Sequence, residues 1–208
     1  MTGDDAINSS HESSSRALCS EMPESRDEEA LTLLRQRDAR GFDLAYARYA
    51  PRIFGFLVRL SRSRPLAEDL FQHTFLKLAE VGPTLRVDSD LRAWLFSVAR
   101  NAFYSHARSR GVEARLDFEL LAGPSVLDVG PDAGLALRAL EQALLRLGRE
   151  DRELLLLVAV EGLSHAEVAS VLGVDQVSVR KRVSRARERL ARVLDAEAPV
   201  VSESESSK

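Results

Sequence analysis

Seven lysine and arginine residues fall between positions 176 and 192, near the carboxyl end of the 208-residue chain. Apolar residues at helical spacing form a stripe on one side of this stretch: Val179, Val183, Ala186, Leu190 and Val193. At roughly 100° per residue, four polar side chains lie about 140–240° away from Val179. They are Lys181, Ser184, Arg185 and Arg192. A helix with this division can pack one face inward and present the other to a DNA major groove.

Helix-capping residues precede this basic stretch. Ser164 and Glu167 have the spacing of a capping box, in which the serine hydroxyl and the glutamate carboxylate each accept from a free backbone amide. Gly173 suits the left-handed conformation that ends a helix, and Asp175 can cap the next one. A basic helix can also be an ordinary solvated surface. Two caps around a three-residue turn favour a helix-turn-helix that binds DNA.

A second amphipathic helix is predicted over about 65–80. One side is apolar and consists of Ala67, Leu70, Phe71, Thr74, Phe75 and Leu78. The opposite side is polar but contains a leucine, and consists of Asp69, Gln72, His73 and Leu76. Single exposed leucines are common in soluble proteins. A leucine framed by polar residues can also belong to a docking surface for another helix.

The helix predicted over about 90–110 combines aromatic residues with arginines. Its buried stripe is expected to be Leu91, Leu95, Val98 and Ala102. Phe96, Phe103 and Tyr104 fall on the other side, beside Arg92 and Arg100. Aromatic rings can stack on splayed bases while the cations neutralise phosphates. Packing against a neighbouring helix explains any one aromatic equally well, but the set together with Asn101 and Arg108 favours nucleic acid.

Composition limits the class of protein. The net charge of −3 hides a strong segregation, because residues 1–30 hold eight acidic residues and two arginines while the basic residues concentrate at 92–110 and 180–192. The single cysteine, Cys19, excludes an intrachain disulfide framework and suits a reducing cytosol. The chain has no run of about 18 apolar residues and no apolar signal core. We therefore expect a cytoplasmic protein.

The helical patterns predict an all-α fold of two small domains. Residues 1–27 are polar and serine-rich, and are expected to be a disordered tail. Residues 28–110 form the first domain, where a long apolar stripe from Phe42 to Leu60 contains Pro51, which should kink the helix or start a new one near Ala50. Residues 111–134 are expected to be a flexible acidic linker. Residues 135–194 form the second domain, starting with the stripe Leu137, Leu140, Leu144 and Leu147, and residues 195–208 an acidic disordered tail.

Three ordered motifs resemble bacterial RNA polymerase sigma factors of the sigma-70 family, extracytoplasmic-function subfamily. They are AEDLFQHTF at 67–75, LRAWLFSVARN at 91–101 and EGLSHAEVA at 161–169, the last followed by the arginine-rich helix. The resemblance covers roughly residues 30–110 and 135–194, the family's regions 2 and 4. The chain departs from the family's usual pattern at Gly148, Val177 and Lys181, which bears on the promoter sequence rather than on the function.

The resemblance implies a sigma factor that binds core RNA polymerase and directs promoter-specific initiation. Region 2 would dock on the beta-prime clamp helices through Asp69, Gln72, His73 and Leu76. Residues 82–105 would open and recognise the minus-10 element. The residues implied in minus-10 contact and melting are Arg92, Trp94, Phe96, Arg100, Asn101, Tyr104 and Arg108. Region 4 would recognise the minus-35 element through Gln176, Ser178, Arg180, Lys181, Ser184 and Arg185. The implied partners also include the beta flap, promoter DNA and an anti-sigma factor.

Catalysis is not expected. The four histidines are scattered, none pairs with Cys19 as a metal site, and neither a phosphate-binding glycine loop nor a nucleophilic triad is present. We therefore expect neither a cofactor nor a metal. Two other functions remain open. A dimeric helix-turn-helix regulator that acts without polymerase leaves the 65–80 and 90–110 surfaces unexplained, and a protein-binding adaptor leaves the basic helix unexplained.

Overall fold

The computed structural model describes residues 24–109 and 134–197, and these residues contain helices but no strand. The first domain has four α-helices: α1 Glu24–Arg35, α2 Ala39–Ser61, α3 Arg64–Val81 and α4 Leu91–Ser109. A single 3-10 turn, Gly82–Thr84, follows α3. The prediction of an all-α fold is confirmed.

The second domain contains four further helices. They are α5 Leu135–Arg146, α6 Arg149–Leu155, α7 His165–Leu172 and α8 Gln176–Glu197. A π-helical turn, Leu156–Val160, extends α6. Helix α8 packs on α5, α6 and α7, so the longest helix of the domain lies against all the others.

Local sequence signals account for where the helices of the first domain begin. The Asp38 carboxylate accepts a hydrogen bond from the Arg40 amide at the start of α2. Ser63 caps α3, where Pro65 occupies the first turn and loses no helical hydrogen bond. Pro51 does not start a new helix near Ala50, because α2 runs unbroken through it with the proline exposed.

Two predicted boundaries shift. Helix α1 begins at Glu24, inside the predicted amino-terminal tail, and α8 continues to Glu197, three residues beyond the predicted end of the second domain. The acidic linker and most of both tails lie outside the described residues. Leu144 of α5 and Leu147, which directly follows the helix, are buried as predicted, whereas Leu137 and Leu140 of α5 are exposed.

The two domains pack against each other. Helix α4 of the first domain contacts α7 of the second, and α2 contacts α6 and the π-helical turn after it. Buried side chains of both domains belong to one hydrophobic cluster. The surface between the domains is therefore part of the fold that positions the polar residues described below.

Helices α1 and α2 approach each other closely at Gly41. A Cβ atom placed on Gly41 would lie 2.5 Å from the Leu34 amide nitrogen and 2.8 Å from the Ala30 carbonyl oxygen. Both are backbone atoms, so only a shift of the helices could make room for a side chain. Gly55, in the same helix, differs because its Cβ would meet no backbone atom but a terminal guanidinium nitrogen of Arg59, at 2.9 Å.

We expect Gly41→Ala to lower the free energy of unfolding by about 1–3 kcal/mol, because overpacking forces the backbones apart. Gly55→Ala is the matched control and should leave stability unchanged or raise it by up to about 1 kcal/mol, since alanine favours a helix interior. Urea unfolding followed by circular dichroism measures both. Equal effects of the two substitutions would contradict the importance of the close crossing.

Candidate nucleic-acid interface

The helix-turn-helix forms as its capping residues predict. The Ser164 hydroxyl accepts from the Glu167 amide at 3.2 Å, and the Ser164 amide donates to the Glu167 carboxylate at 2.6 Å. Gly173 ends α7 in the left-handed conformation, with φ of 66°. The Asp175 carboxylate then accepts from the Ser178 amide at 2.8 Å and holds the start of α8. These caps fix α8 relative to α7.

Helix α8 divides into a buried and an exposed face. Val179, Val183 and Ala186 are buried, so the predicted apolar stripe is confirmed. The predicted DNA-contacting residues are exposed except for one. Gln176, Arg180, Lys181, Ser184 and Arg185 are open to solvent, as is Arg192 further along the helix. Ser178 is half-buried and its hydroxyl donates to the Asp175 carboxylate at 2.6 Å.

The hydrogen bonds of the cap also affect the charge of Asp175. The Ser178 hydroxyl, and then its amide, lower the pKa of the Asp175 carboxyl. The carboxylate therefore stays ionised at the amino end of α8, where the helix dipole favours negative charge. The charge of Asp175 stabilises the start of α8. The arginines and the lysine on the exposed face of α8 form a separate, positively charged surface.

Phe96 was predicted to contact the minus-10 element, but the structure places it in the core of the first domain. The Phe96 side chain is fully buried and its ring meets that of Phe56 edge-on, with the centroids 5.3 Å apart. Phe103 is likewise buried. Helix α4 packs on α2, α3 and α7. Its buried surface is therefore wider than the single apolar stripe predicted from the sequence.

Arg92, Arg100 and Tyr104 lie on the surface of α4 that faces the second domain. The Arg92 Nε donates to the Glu167 carboxylate at 2.8 Å. The Arg100 Nε donates to the Glu153 carboxylate at 2.6 Å, and the Tyr104 hydroxyl donates to the same carboxylate at 2.7 Å. Three of the predicted minus-10 residues are thus brought together, but each is held by a glutamate of the second domain.

The remaining members of the predicted minus-10 set are less engaged. Asn101 and Arg108 are exposed, and Trp94 is half-buried against the core. The structure therefore leaves part of the α4 surface open to solvent, while Arg92, Arg100 and Tyr104 lie within the contact between the domains.

Tyr104 is the centre of a small cation–aromatic cluster. The guanidinium carbons of Arg100 and Arg149 lie 4.5 and 5.1 Å from the centroid of its ring. Burial, and then the neighbouring Glu153 carboxylate, raise the pKa of the Tyr104 hydroxyl, so it remains a hydrogen-bond donor at neutral pH. Burial also raises the pKa of Glu153, although Arg100 and Tyr104 oppose that effect.

Sequence reasoning missed the acidic partners. Within residues 24–109 and 134–197, four ion pairs each join an arginine of the first domain to a glutamate of the second. The pairs are Arg52–Glu161, Arg59–Glu141, Arg92–Glu167 and Arg100–Glu153. The sequence does indicate that Glu153 is buried, because this residue directly precedes the apolar run LLLLVAV. A buried carboxylate needs a partner of opposite charge or a hydrogen-bond donor.

The predicted docking surface on α3 is open to solvent. Asp69, Gln72 and His73 are exposed, and Leu76 is 70% exposed. The apolar side of the same helix is buried or partly buried, as predicted. Leu76 therefore presents an apolar side chain on a polar surface without contributing to the core.

The described ranges, 24–109 and 134–197, contain no cluster of potential metal ligands. Within the same ranges, no helix is both long and apolar enough to cross a membrane.

Both domains match models of known protein families. Residues 45–112 match the model of sigma-70 region 2, and residues 137–190 match that of sigma-70 region 4. The RNA polymerase sigma factor CarQ of Myxococcus xanthus is 34% identical over 74% of this chain and 88% of its own length. The ECF RNA polymerase sigma factor EcfG of Rhodopseudomonas palustris is 32% identical over 69% of this chain and 80% of its own length.

A solved structure has a similar fold. The sigma factor RpoE of Bartonella quintana, crystallised with the anti-sigma factor NepR, superposes with a TM-score of 0.63 at 30% identity. The match covers 75% of this chain and 98% of that one.

The burial of Phe96 gives a direct test of its role. We expect Phe96→Ala to lower the free energy of unfolding by about 3–5 kcal/mol, because it leaves a cavity between α4 and α2. Asn101→Ala, at an exposed position of the same helix, should change it by less than about 0.5 kcal/mol. Thermal unfolding measures both. If Phe96→Ala left the stability unchanged, Phe96 would not be a core residue, and its assignment to the nucleic-acid surface would stand.

Proposed function

Because the chain belongs to the extracytoplasmic-function subfamily of sigma-70 factors, we propose that three of its surfaces divide the tasks of promoter recognition. As a sigma factor it binds core RNA polymerase and directs promoter-specific transcription initiation. Sigma factors are not enzymes, so the function of these surfaces is to bind. The alternative of a regulator that acts without polymerase has no support among the relatives.

The minus-35 element is assigned to α8. The observation that carries this assignment is the exposed cationic face of a helix whose opposite face, Val179, Val183 and Ala186, is buried in the domain. The contacting residues are proposed to be Gln176, Ser178, Arg180, Lys181, Ser184 and Arg185. Ser178 would contribute through its half-buried hydroxyl, which also holds Asp175. The amino-terminal part of such a helix is the part that reaches base edges.

The minus-10 element is assigned to α4. The proposed set is Arg92, Trp94, Arg100, Asn101, Tyr104 and Arg108, without the buried Phe96. Arginine and aromatic side chains on one helix suit a melted strand, because the bases can stack and the phosphates are neutralised.

The polymerase contact is assigned to α3. Asp69, Gln72, His73 and Leu76 would contact the beta-prime clamp helices, and the second domain would contact the beta flap. Support comes from the exposure of Leu76 on an otherwise polar helix face. We further propose an anti-sigma partner, since structural neighbours include sigma factors bound to anti-sigma factors, and a cytoplasmic location, where core polymerase and the chromosome are found.

Run-off transcription tests the assignment of α3. The triple substitution of Asp69, Gln72 and Leu76 by alanine should abolish binding to core polymerase and run-off transcription on genomic fragments. Its unfolding temperature should hardly change, because exposed positions usually cost under about 0.5 kcal/mol each. The matched control is alanine at Glu68, on the same helix and outside the set. Undiminished binding of the triple variant to core enzyme would disprove the docking surface.

Substitution of two arginines of α8 distinguishes contacts with bases from contacts with phosphates. Arg185→Ala should cost about 1–3 kcal/mol and relax the preference at one or two positions of the minus-35 element. Arg192→Ala, nearly two turns later, should weaken all sequences equally and reduce the salt slope by about one unit at most. Promoter libraries transcribed with each variant measure this. If Arg185→Ala changed the salt dependence alone, Arg185 would be a phosphate contact.

A further inference from the structure

An apolar side chain lies in the middle of the exposed face of α8. Val177, in the first turn of the helix, is 59% exposed. At roughly 100° per residue, it lies about 160° from the buried Val179, between the directions of Ser184 and Lys181. Those two residues belong to the set assigned to the minus-35 element. Val177 therefore shares their face and lies outside the core that Val179 helps to form.

The hydrogen bonds at the start of α8 hold Val177 in place. The Asp175 carboxylate accepts from the Ser178 amide at 2.8 Å and from the Ser178 hydroxyl at 2.6 Å. The Asp175 carbonyl oxygen accepts from the Val179 amide at 3.2 Å. All three bonds span Val177, so its backbone cannot move without opening the cap. Valine is also stiff about χ1 in a helix, because its Cβ is branched. Its two methyl groups are thus presented to solvent in a nearly fixed geometry.

The chemistry of Val177 differs from that of its exposed neighbours. Gln176, Lys181 and Arg185 carry hydrogen-bond donors, whereas Val177 offers only methyl groups. Base edges in the major groove present donors and acceptors, and thymine alone adds a methyl group. A valine that covers a donor or acceptor leaves it unpaired, but a valine that meets the thymine methyl removes apolar surface from water. Because Val177 is already positioned, such a contact loses little conformational entropy.

We propose that Val177 is a specificity-determining residue that contacts the C5-methyl group of a thymine in the minus-35 element. This inference rests on the proposed function of α8. The amino-terminal residues of a recognition helix reach base edges, and Val177 is the second residue of α8. Along the helix axis it lies about 12 Å from Arg185, which corresponds to roughly three to four base-pair steps of about 3.4 Å. The thymine is therefore expected at a different position from the one that Arg185 recognises.

A promoter library tests the proposal with the holoenzyme. Wild-type protein and Val177→Ala are each combined with core RNA polymerase, and transcripts are sequenced from templates randomised across the minus-35 element. Val177→Ala should lower the preference for thymine about fourfold at one position, the loss expected for one methyl group no longer removed from water. Preferences at the other positions should stay the same. Val160→Ala is the matched control, because Val160 is 45% exposed and lies outside α8, and it should keep every wild-type preference.

Deoxyuridine isolates the methyl group, because it differs from thymidine only in lacking the C5-methyl. At the position identified, deoxyuridine should lower transcription by the wild-type holoenzyme about fourfold and leave transcription by Val177→Ala nearly unchanged. The two changes are then not additive, as is expected of groups in contact. Conversely, 5-methylcytosine in place of cytosine at that position should raise transcription by the wild-type holoenzyme but not by Val177→Ala.

Three results would overturn the proposal. The first is a Val177→Ala protein that keeps the wild-type preference at every position of the minus-35 element. The second is an equal loss from deoxyuridine in wild type and Val177→Ala, which would show that the valine does not act through the thymine methyl. The third is a loss spread evenly over all sequences, which would place Val177 against the phosphate backbone.

Arg185→Ala, measured on the same library, distinguishes failure of this proposal from failure of the function proposed for α8. If Arg185→Ala relaxes a preference and Val177→Ala does not, only the role of Val177 is wrong. If neither variant changes any preference, α8 does not recognise the element and both proposals fail. Val177→Ala should unfold at the wild-type temperature, because the side chain is exposed and lies outside the core. Circular dichroism during heating checks this.

Discussion

A carboxylate that leaves water needs a cation or several hydrogen-bond donors, and this requirement decides how the two domains meet. Glu141, Glu153 and Glu161 are all buried in the second domain. The arginines that form ion pairs with them belong to the first domain, so the buried charges at this surface depend on both domains. The hydrophobic contact between α4 and α7 brings the domains together, and the ion pairs determine their register.

The helix-turn-helix could be predicted almost completely from the sequence, because its signals are local. The capping box of Ser164 and Glu167, the left-handed Gly173 and the cap at Asp175 each act within four residues of their partner. The periodicity of α3 and α8 also predicted which side chains are buried. Such features depend on backbone geometry that neighbouring residues fix without help from the rest of the chain.

The surface of α4 could be predicted only in part, because it depends on contacts between residues far apart in sequence. A helical wheel shows two faces, whereas α4 has neighbours on several sides, and so Phe96 and Phe103 are buried where exposure was expected. Arg100 and Glu153 are separated by 53 positions, and no local pattern pairs them. The same limitation applies to Pro51. Its helix continues because the packing of the residues before and after the proline outweighs the loss of one backbone hydrogen bond.

The burial of Phe96 and Phe103 gives the polar residues of α4 a rigid support. Their rings hold the helix in the core, and the Phe103 and Tyr104 rings meet edge-on with centroids 5.3 Å apart. Arg100 and Tyr104 therefore project from a backbone that cannot rotate without breaking the core. A surface of this kind binds with little loss of conformational entropy, since its side chains are already positioned.

The side chain of Glu167 has two structural roles. One carboxylate oxygen accepts from the Ser164 amide to cap α7, and the other accepts from Arg92 of the first domain. Burial alone would raise the pKa of Glu167, but hydrogen bonds from Ser164 and Arg92 lower it, so the residue is charged at neutral pH. Glutamine can serve in a capping box as well as glutamate. Of the two roles, helix initiation therefore tolerates the amide, whereas the ion pair with Arg92 of the neighbouring domain requires the negative charge.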